Sequence, residues 1–507
     1  MAQHDAAGGP GLDDEVTLAE TLRAAVELDD AATFQELLAR VDREVPPADR
    51  LLDLGLAFAE ALRMGKEPFV HRFVDRVPDV NALIHEGCTP LVYAAGGPPV
   101  SSTTSVVRAL VDRGADVNLL APGPRTTPLM KACGVGNVEV AELLVNADNG
   151  DGWRAILSAC DAASPECVRL LIKHGAEVNV ISKLNDGWTP LMKACRKGDV
   201  ESAKELIKAG ADIKTCPKNG WGALLQACFS ESIDCVKLLI AHGGDVNAWT
   251  DPDAGISPLM EVAARGNVEL ARVLVEAAAD VNARNSKNGW GAVLEVCAKN
   301  KVECLQLLLE HDADPNVWTN PRTGVTPLIE ACSRGHVECA ELLIQFHANV
   351  DARNSEYGWS ACMEACAKGQ VRAVELLIKY GADVNSVTKQ PNGDSPLMTA
   401  CGRGHADVVK VLLAAHADAN NGSSDGWRPV ISACDNGNVR CLQLLLDAGA
   451  DLNFFTNQET GFTPLMKACS KGSAECVQAL IASGASVDAA NLKTGWRAMM
   501  NTVKEEG

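Results

Sequence analysis

Around Thr326 the polar and apolar positions of this chain fall into a short block that then recurs. Thr326 can cap a helix through its hydroxyl, and Pro327 suits the first helical position, where a missing N–H does no harm. Ile329 to Arg334 continues that helix, and Gly335 ends it in a left-handed turn. Val337 to Gln345 carries apolar Val337, Ala340, Leu342, Leu343 and Ile344, which predicts a second helix with an apolar face. His347 to Asp351 then leaves for an extended finger, and Tyr357-Gly358-Trp359 turns it back. The predicted unit is helix, tight turn, helix, long loop.

The block returns every 33 to 35 residues in two alternating forms. One form reads Thr-Pro-Leu-Met-x-Ala-Cys, at Thr127–Cys133, Thr189–Cys195 and Thr463–Cys469, with Ser257-Pro258 and Ser395-Pro396 as variants. The other reads Gly-Trp-x-Ala, with Trp153, Trp221, Trp290, Trp359, Trp427 and Trp496 at its second position and Pro429 in place of the Ala after Trp427. From Trp221 onward these tryptophans stand 69, 69, 68 and 69 residues apart, so the full period is a pair of units. Such a period predicts an all-α solenoid, in which each unit buries its apolar face against its neighbours. Unit starts fall near 20, 56, 89, 127, 154, 189, 222, 257, 291, 326, 360, 395, 428, 463 and 497.

The chain is thereby divided into a disordered tail at 1–16, degenerate capping units over 17–78, the regular array over 79–503, and the end at 504–507. Two spacings break the rhythm. Extra residues sit between the helices at 96–105, and the finger after Asn146 is nearly deleted, which makes 146–153 a candidate bend. Trp496 to Val503 supplies one helix without a partner, so the chain is expected either to end in a half-unit cap or to be a fragment.

Composition narrows the function. With 46 basic against 66 acidic residues the net charge is −20, which disfavours binding to nucleic acid or to anionic membrane surfaces. No apolar run reaches the length of about 18–20 residues that a membrane span needs. Residues 1–16 carry no signal-segment pattern, so a cytoplasmic or nuclear location is expected. Of 19 cysteines, ten share one slot of the repeat, from Cys133 to Cys469, and six follow seven residues after such a position. Without a CxxC pair or clustered His they predict buried, reduced core thiols rather than a metal site. The competing reading is redox sensing by exposed thiols, with Cys88 and Cys216 as candidates.

The pattern Thr-Pro-Leu-x-x-Ala-x-x-x-Gly-x-Val-Glu-x-x-x-x-Leu-Leu-x-x-Gly-Ala-Asp-Val-Asn resembles the ankyrin repeat, with Gly114–Asn118 and Gly381–Asn385 as its closing signature. The resemblance implies helix-turn-helix units joined by β-hairpin-like fingers. It also implies a concave face of fingers and first helices that grips a partner. Two departures stand out. Met130, Met192, Met260, Met398 and Met466, or Ile329, replace the family's usual His, and alternate units lose Thr-Pro.

The fifth residue of each unit is expected on that concave face. Four consecutive glutamates occupy it in mid-array: Glu261, Glu295, Glu330 and Glu364. One turn later come Arg265, Lys299, Arg334 and Lys368. Two readings stand: i,i+4 pairing within each helix, worth about 0.2–0.5 kcal/mol per pair, or a striped groove that orders a charged peptide. Trp221, Trp290 and Trp359 sit just before first helices, and Trp249, Trp318 and Phe455 at the start of the other finger type. These rings either pack on neighbouring fingers or contact a partner, since large aromatics are enriched at interface hot spots.

No catalytic motif is present, and His242, His311, His336 and His405 are read as structural residues at equivalent turns. The expected function is a monomeric protein-binding scaffold or adaptor, not an enzyme, that needs no cofactor and no metal. Its ligand is a protein or peptide with basic segments, bound across the units from 222 to 395. The alternatives are a regulatory region of a larger enzyme or channel and a host-directed effector.

Overall fold

The computed structural model describes residues 18–44, 50–64, 66–76, 79–84, 87–98, 101–122, 125–147, 153–182, 187–217, 219–250, 255–319, 323–388, 393–456, 461–491, 495 and 497–498. Among these residues there are 28 helices, no extended sheet, and four isolated antiparallel bridges. The chain forms two compact units, residues 1–245 and 246–507. In the first, helix pairs run from Leu18–Glu27 with Ala31–Glu44 to Ala223–Phe229 with Ile233–Ala241. In the second they run from Pro258–Arg265 with Val268–Glu276 to Pro464–Ser470 with Ala474–Ala482. Within each unit first helices pack on first helices and second helices on second helices, so the core is a continuous layer between the two rows.

The repeated Thr-Pro and Ser-Pro pairs work as caps. The hydroxyls of Thr127, Thr189, Thr326 and Ser257 each accept the third helical N–H at 3.3 Å, and those of Ser395 and Thr463 at 3.2 Å. Gly222, Gly291 and Arg428, in the Trp-bearing units, make no such bond. Gly291 forms a backbone bridge with Arg284, and a Cβ there would approach the Ala283 carbonyl oxygen to 2.7 Å. First helices then stop at Gly198, Gly266, Gly335, Gly369 and Gly404, all in the left-handed region, where glycine bears no Cβ penalty.

The fingers are tied together through the closing Asn. Asn247, Asn282 and Asn316 each offer their side-chain oxygen to a backbone N–H one unit later, at 2.8, 2.8 and 2.7 Å. Asn385, Asn420 and Asn453 repeat the bond at 2.8 Å. Such bonds satisfy loop N–H groups that have no ladder partner.

Four sequence expectations are corrected or displaced. The helix expected to start near Leu56 begins at Arg50 and runs to Arg63, about twice the length of the regular first helices, and the Thr-Pro pair that marks their starts is missing from it. Cys88 is not exposed; it packs with Val92 and Ala121. The histidines occupy two kinds of turn. His336 and His405 precede second helices and reach a carbonyl of an earlier first helix, at Cys297 (2.8 Å) and Ala367 (3.1 Å). His242 and His311 follow second helices instead. The expectations for 1–16 and 504–507, for the core of the bend at 148–152 and for most of a final helix over 496–503 lie outside the described residues.

Candidate functional site

In the second unit the first helices Pro258–Arg265, Ala292–Ala298, Pro327–Arg334 and Ala361–Lys368 follow one another, and each carries one of the four glutamates in its first turn. Helix geometry places the residue four further on along the same face. Three of the four pairs close. Arg265 Nη2 lies 2.7 Å from Glu261 Oε1, Arg334 Nε 2.6 Å from Glu330 Oε1, and Lys299 Nζ 3.4 Å from Glu295 Oε2. The glutamate ends are mostly covered, with side chains 14, 20 and 15% exposed for Glu261, Glu295 and Glu330. The cations stand further out in solvent. The row is therefore largely neutralised from within, as i,i+4 pairing requires.

Glu364 differs. It forms no ion pair among the described residues. Burial pushes its carboxyl above the ordinary range; Lys368 opposes this, and the neighbouring Glu330 adds to it. The next helix offers it no cation, because Thr399 stands at that position and donates its hydroxyl to the Ser395 carbonyl at 3.0 Å.

Elsewhere the fifth residue is Lys, at 193 in the first unit and at 467 in the second, and it binds an aspartate one unit earlier. Lys193 Nζ is 3.2 Å from Asp161, and Lys467 Nζ is 2.7 Å from Asp435. Sequence reasoning missed both pairs. Their signal is the Cys-Asp sequence, Cys160-Asp161 and Cys434-Asp435, in the units preceding Met192-Lys193 and Met466-Lys467.

The tryptophans divide by surroundings. Trp221 lies in the first unit, half-buried, and meets Phe229 edge-on at 5.9 Å. Trp427 donates its indole N–H to Ser432 Oγ at 2.9 Å, with Lys467 Nζ 4.8 Å from its ring centre. Trp188 has Lys193 5.9 Å from its ring centre. These three have internal partners. Trp290 and Trp359 are half-buried and make no ring contact among the described residues. Of the finger positions, Trp249 and Phe455 are half-buried and Trp318 is 53% exposed. The side chains of Trp153 and Trp496 lie outside the described set. Every predicted surface residue other than Trp221 belongs to the second unit.

Among the described residues no cluster of three or more His, Cys, Asp or Glu could hold a metal ion, and no helix is long and apolar enough to cross a membrane.

Comparison with known proteins gives one consistent result. A family model described as ankyrin repeats (3 copies) matches residues 100–182, 179–250, 245–319, 294–388 and 385–456, and a single ankyrin repeat matches 460–492. Over 131 residues the chain is 30% identical to the ankyrin repeat, SAM and basic leucine zipper domain-containing protein 1 of Dasypus novemcinctus. That match covers 24% of this chain and 26% of that protein, so the chain spans about a quarter of the relative's length. The crystal structure of the human ASB11 ankyrin repeat domain aligns with 29% identity and a TM-score of 0.41, over 45% of this chain and 99% of that one.

Proposed function

The chain belongs to the ankyrin-repeat proteins, and from that premise we propose that it is a protein-binding scaffold or adaptor without catalysis of its own. Ankyrin repeats are in general protein–protein interaction modules. The proposed contact surface is the first-helix and finger-base face of residues 246–507, working in the cytoplasm or nucleus, where thiols stay reduced. The observation that carries this reading is the pair Trp290 and Trp359. Both stand at the turn before a first helix, partly open to solvent, and no neighbouring ring or cation among the described residues covers either indole. Their counterparts Trp221 and Trp427 are internally engaged. An indole open on one face is a ready anchor for an apolar side chain of a partner. The unpaired carboxylate of Glu364 gives that partner a place for one Lys or Arg.

The test is affinity capture from native extract with the full chain. Wild type is compared with W290A/W359A and with Q306A/K410A, two exposed positions on second helices. The proposal expects the recovered partner to be lost with the tryptophan variant only, while circular dichroism stays unchanged. Equal recovery by a normally folded W290A/W359A variant refutes it.

A further inference from the structure

Five successive fingers of the second unit close with the same backbone bond. Thr250, Asn285, Thr319, Asn354 and Thr388 donate their N–H to the carbonyls of Ile256, Trp290, Val325, Trp359 and Asp394, at 2.8–3.1 Å. The residue before each donor therefore holds one register along the fingers. In order these residues are Trp249, Arg284, Trp318, Arg353 and Val387, so apolar side chains and arginines alternate. The geometry points to this row as a docking stripe for an extended acidic segment of a partner protein, with two carboxylates on Arg284 and Arg353 and an apolar side chain between them on Trp318.

The two guanidiniums are held but not neutralised. Arg284 Nη1 donates to the Trp318 carbonyl at 3.1 Å, and Arg353 Nη1 to the Val387 carbonyl at 2.5 Å. Each is thus tethered across to the following finger by one of its five donors. Both arginines are exposed, and neither lies within ion-pair distance of a carboxylate among the described residues, in a chain with 66 acidic against 46 basic residues. The next finger shows what an internally satisfied arginine looks like here. Arg428 lies 3.1 Å from Asp451 and stacks 4.1 Å from the Phe454 ring centre, and the register position itself is Gly422. The stripe therefore ends at Val387. Trp318, between the two arginines, is 53% exposed and makes no ring contact among the described residues.

Charge complementarity selects the occupant. A planar guanidinium with free N–H groups matches a carboxylate in a two-bond fork. Two such groups on a chain of net charge −20 are too few to hold a nucleic acid, whose binding depends on neutralising many phosphates. Units stack about 10 Å apart, so the two arginines stand about 20 Å from one another. An extended chain rising about 3.3 Å per residue spans that distance in about six residues. The ligand is thus a strand with two acidic residues about six apart and an apolar or aromatic residue midway.

This inference rests on the protein-binding reading but uses different side chains, so the two fail separately. A phage-displayed library of random peptides about twelve residues long, enough to span both arginines, is selected on the full chain. The survivors are then compared on R284Q/R353Q and R284K/R353K. Gln keeps a donor for the tethering carbonyl and removes the charge; Lys keeps the charge. Peptides that lose at least about tenfold in affinity for the Gln variant are expected to carry two acidic residues at that spacing. They are also expected to keep most of their affinity for the Lys variant, weaken with added salt, and perturb Trp318 fluorescence in a way that W318A abolishes. The inference is overturned if no selected peptide distinguishes the Gln variant from wild type, or if those that do lack carboxylates. Loss of Trp290 and Trp359 leaves this result unchanged, whatever it does to partner capture.

Discussion

Glu364 is the residue at which the pairing rule of its row breaks. Its three predecessors each hold a cation four residues on, while Glu364 is half-buried without one. Burial, helped by Glu330, raises its folded-state pKa above the ordinary value of 4.5. The sign follows from linkage: the favourable contribution of the protonated form is present below the unfolded value and is lost as pH rises through the raised folded value. At neutral pH the ionised carboxylate therefore costs stability. E364Q is expected to raise the urea midpoint at pH 7, with the gain vanishing below the unfolded value of 4.5, as urea titrations at several pH values will read. A constant gain at all pH values rejects this assignment. The cysteines give a second residue-scale test. Cys216 is exposed and Cys469 half-exposed, whereas the other seventeen are buried. Native thiol labelling is expected to modify these two alone, and both more readily as pH rises, because partial desolvation lifts each thiol above its ordinary value. Cys88 should react only in denaturant.

At the scale of the element, much of the fold was legible because its causes are local. A Thr or Ser hydroxyl reaching the third helical N–H, a Pro just after it and a Gly at the left-handed stop all lie within one short helix and its two ends. T326A is expected to cost about 1 kcal/mol in urea unfolding, the usual worth of such a cap. No change in midpoint contradicts the role given to Thr326. Where the Thr-Pro signal is missing the start is not legible: Arg50–Arg63 begins six residues before Leu56, where the repeat spacing predicts the unit to start. Contacts between units were harder still to read. Lys193 with Asp161, Lys467 with Asp435 and the reach of Arg284 to the next finger's carbonyl depend on how successive units stack, and no single unit displays them. The i,i+4 pairs of the glutamate row were legible, since one helix contains both partners. Which tryptophans are engaged was not, because Trp290 and Trp427 share the Gly-Trp signal while the partners of Trp427 are Ser432 of its own first helix and Lys467 of the adjoining unit.

For the whole molecule, the repeat explains the architecture and underlies the proposed recognition of a partner. Units that bury their apolar faces only against neighbours leave polar first-helix positions and finger loops as a long, addressable surface, and alternation of two unit types sets aromatic and charged groups along it at fixed intervals. Within residues 246–507 that surface carries the half-buried indoles of Trp290 and Trp359 and Glu364, which has no ion-pair partner among the described residues. The claim that a partner protein lies on this face, rather than along the second helices, is tested most directly by site-specific photo-crosslinking. A photoreactive amino acid is placed in turn at Trp290, Trp359, Gln306 and Lys410 of the full chain, and the complex with the captured partner is irradiated. Cross-links are expected from 290 and 359 and none from 306 or 410. Cross-links confined to 306 and 410, with the chain folded and the partner bound, would contradict it.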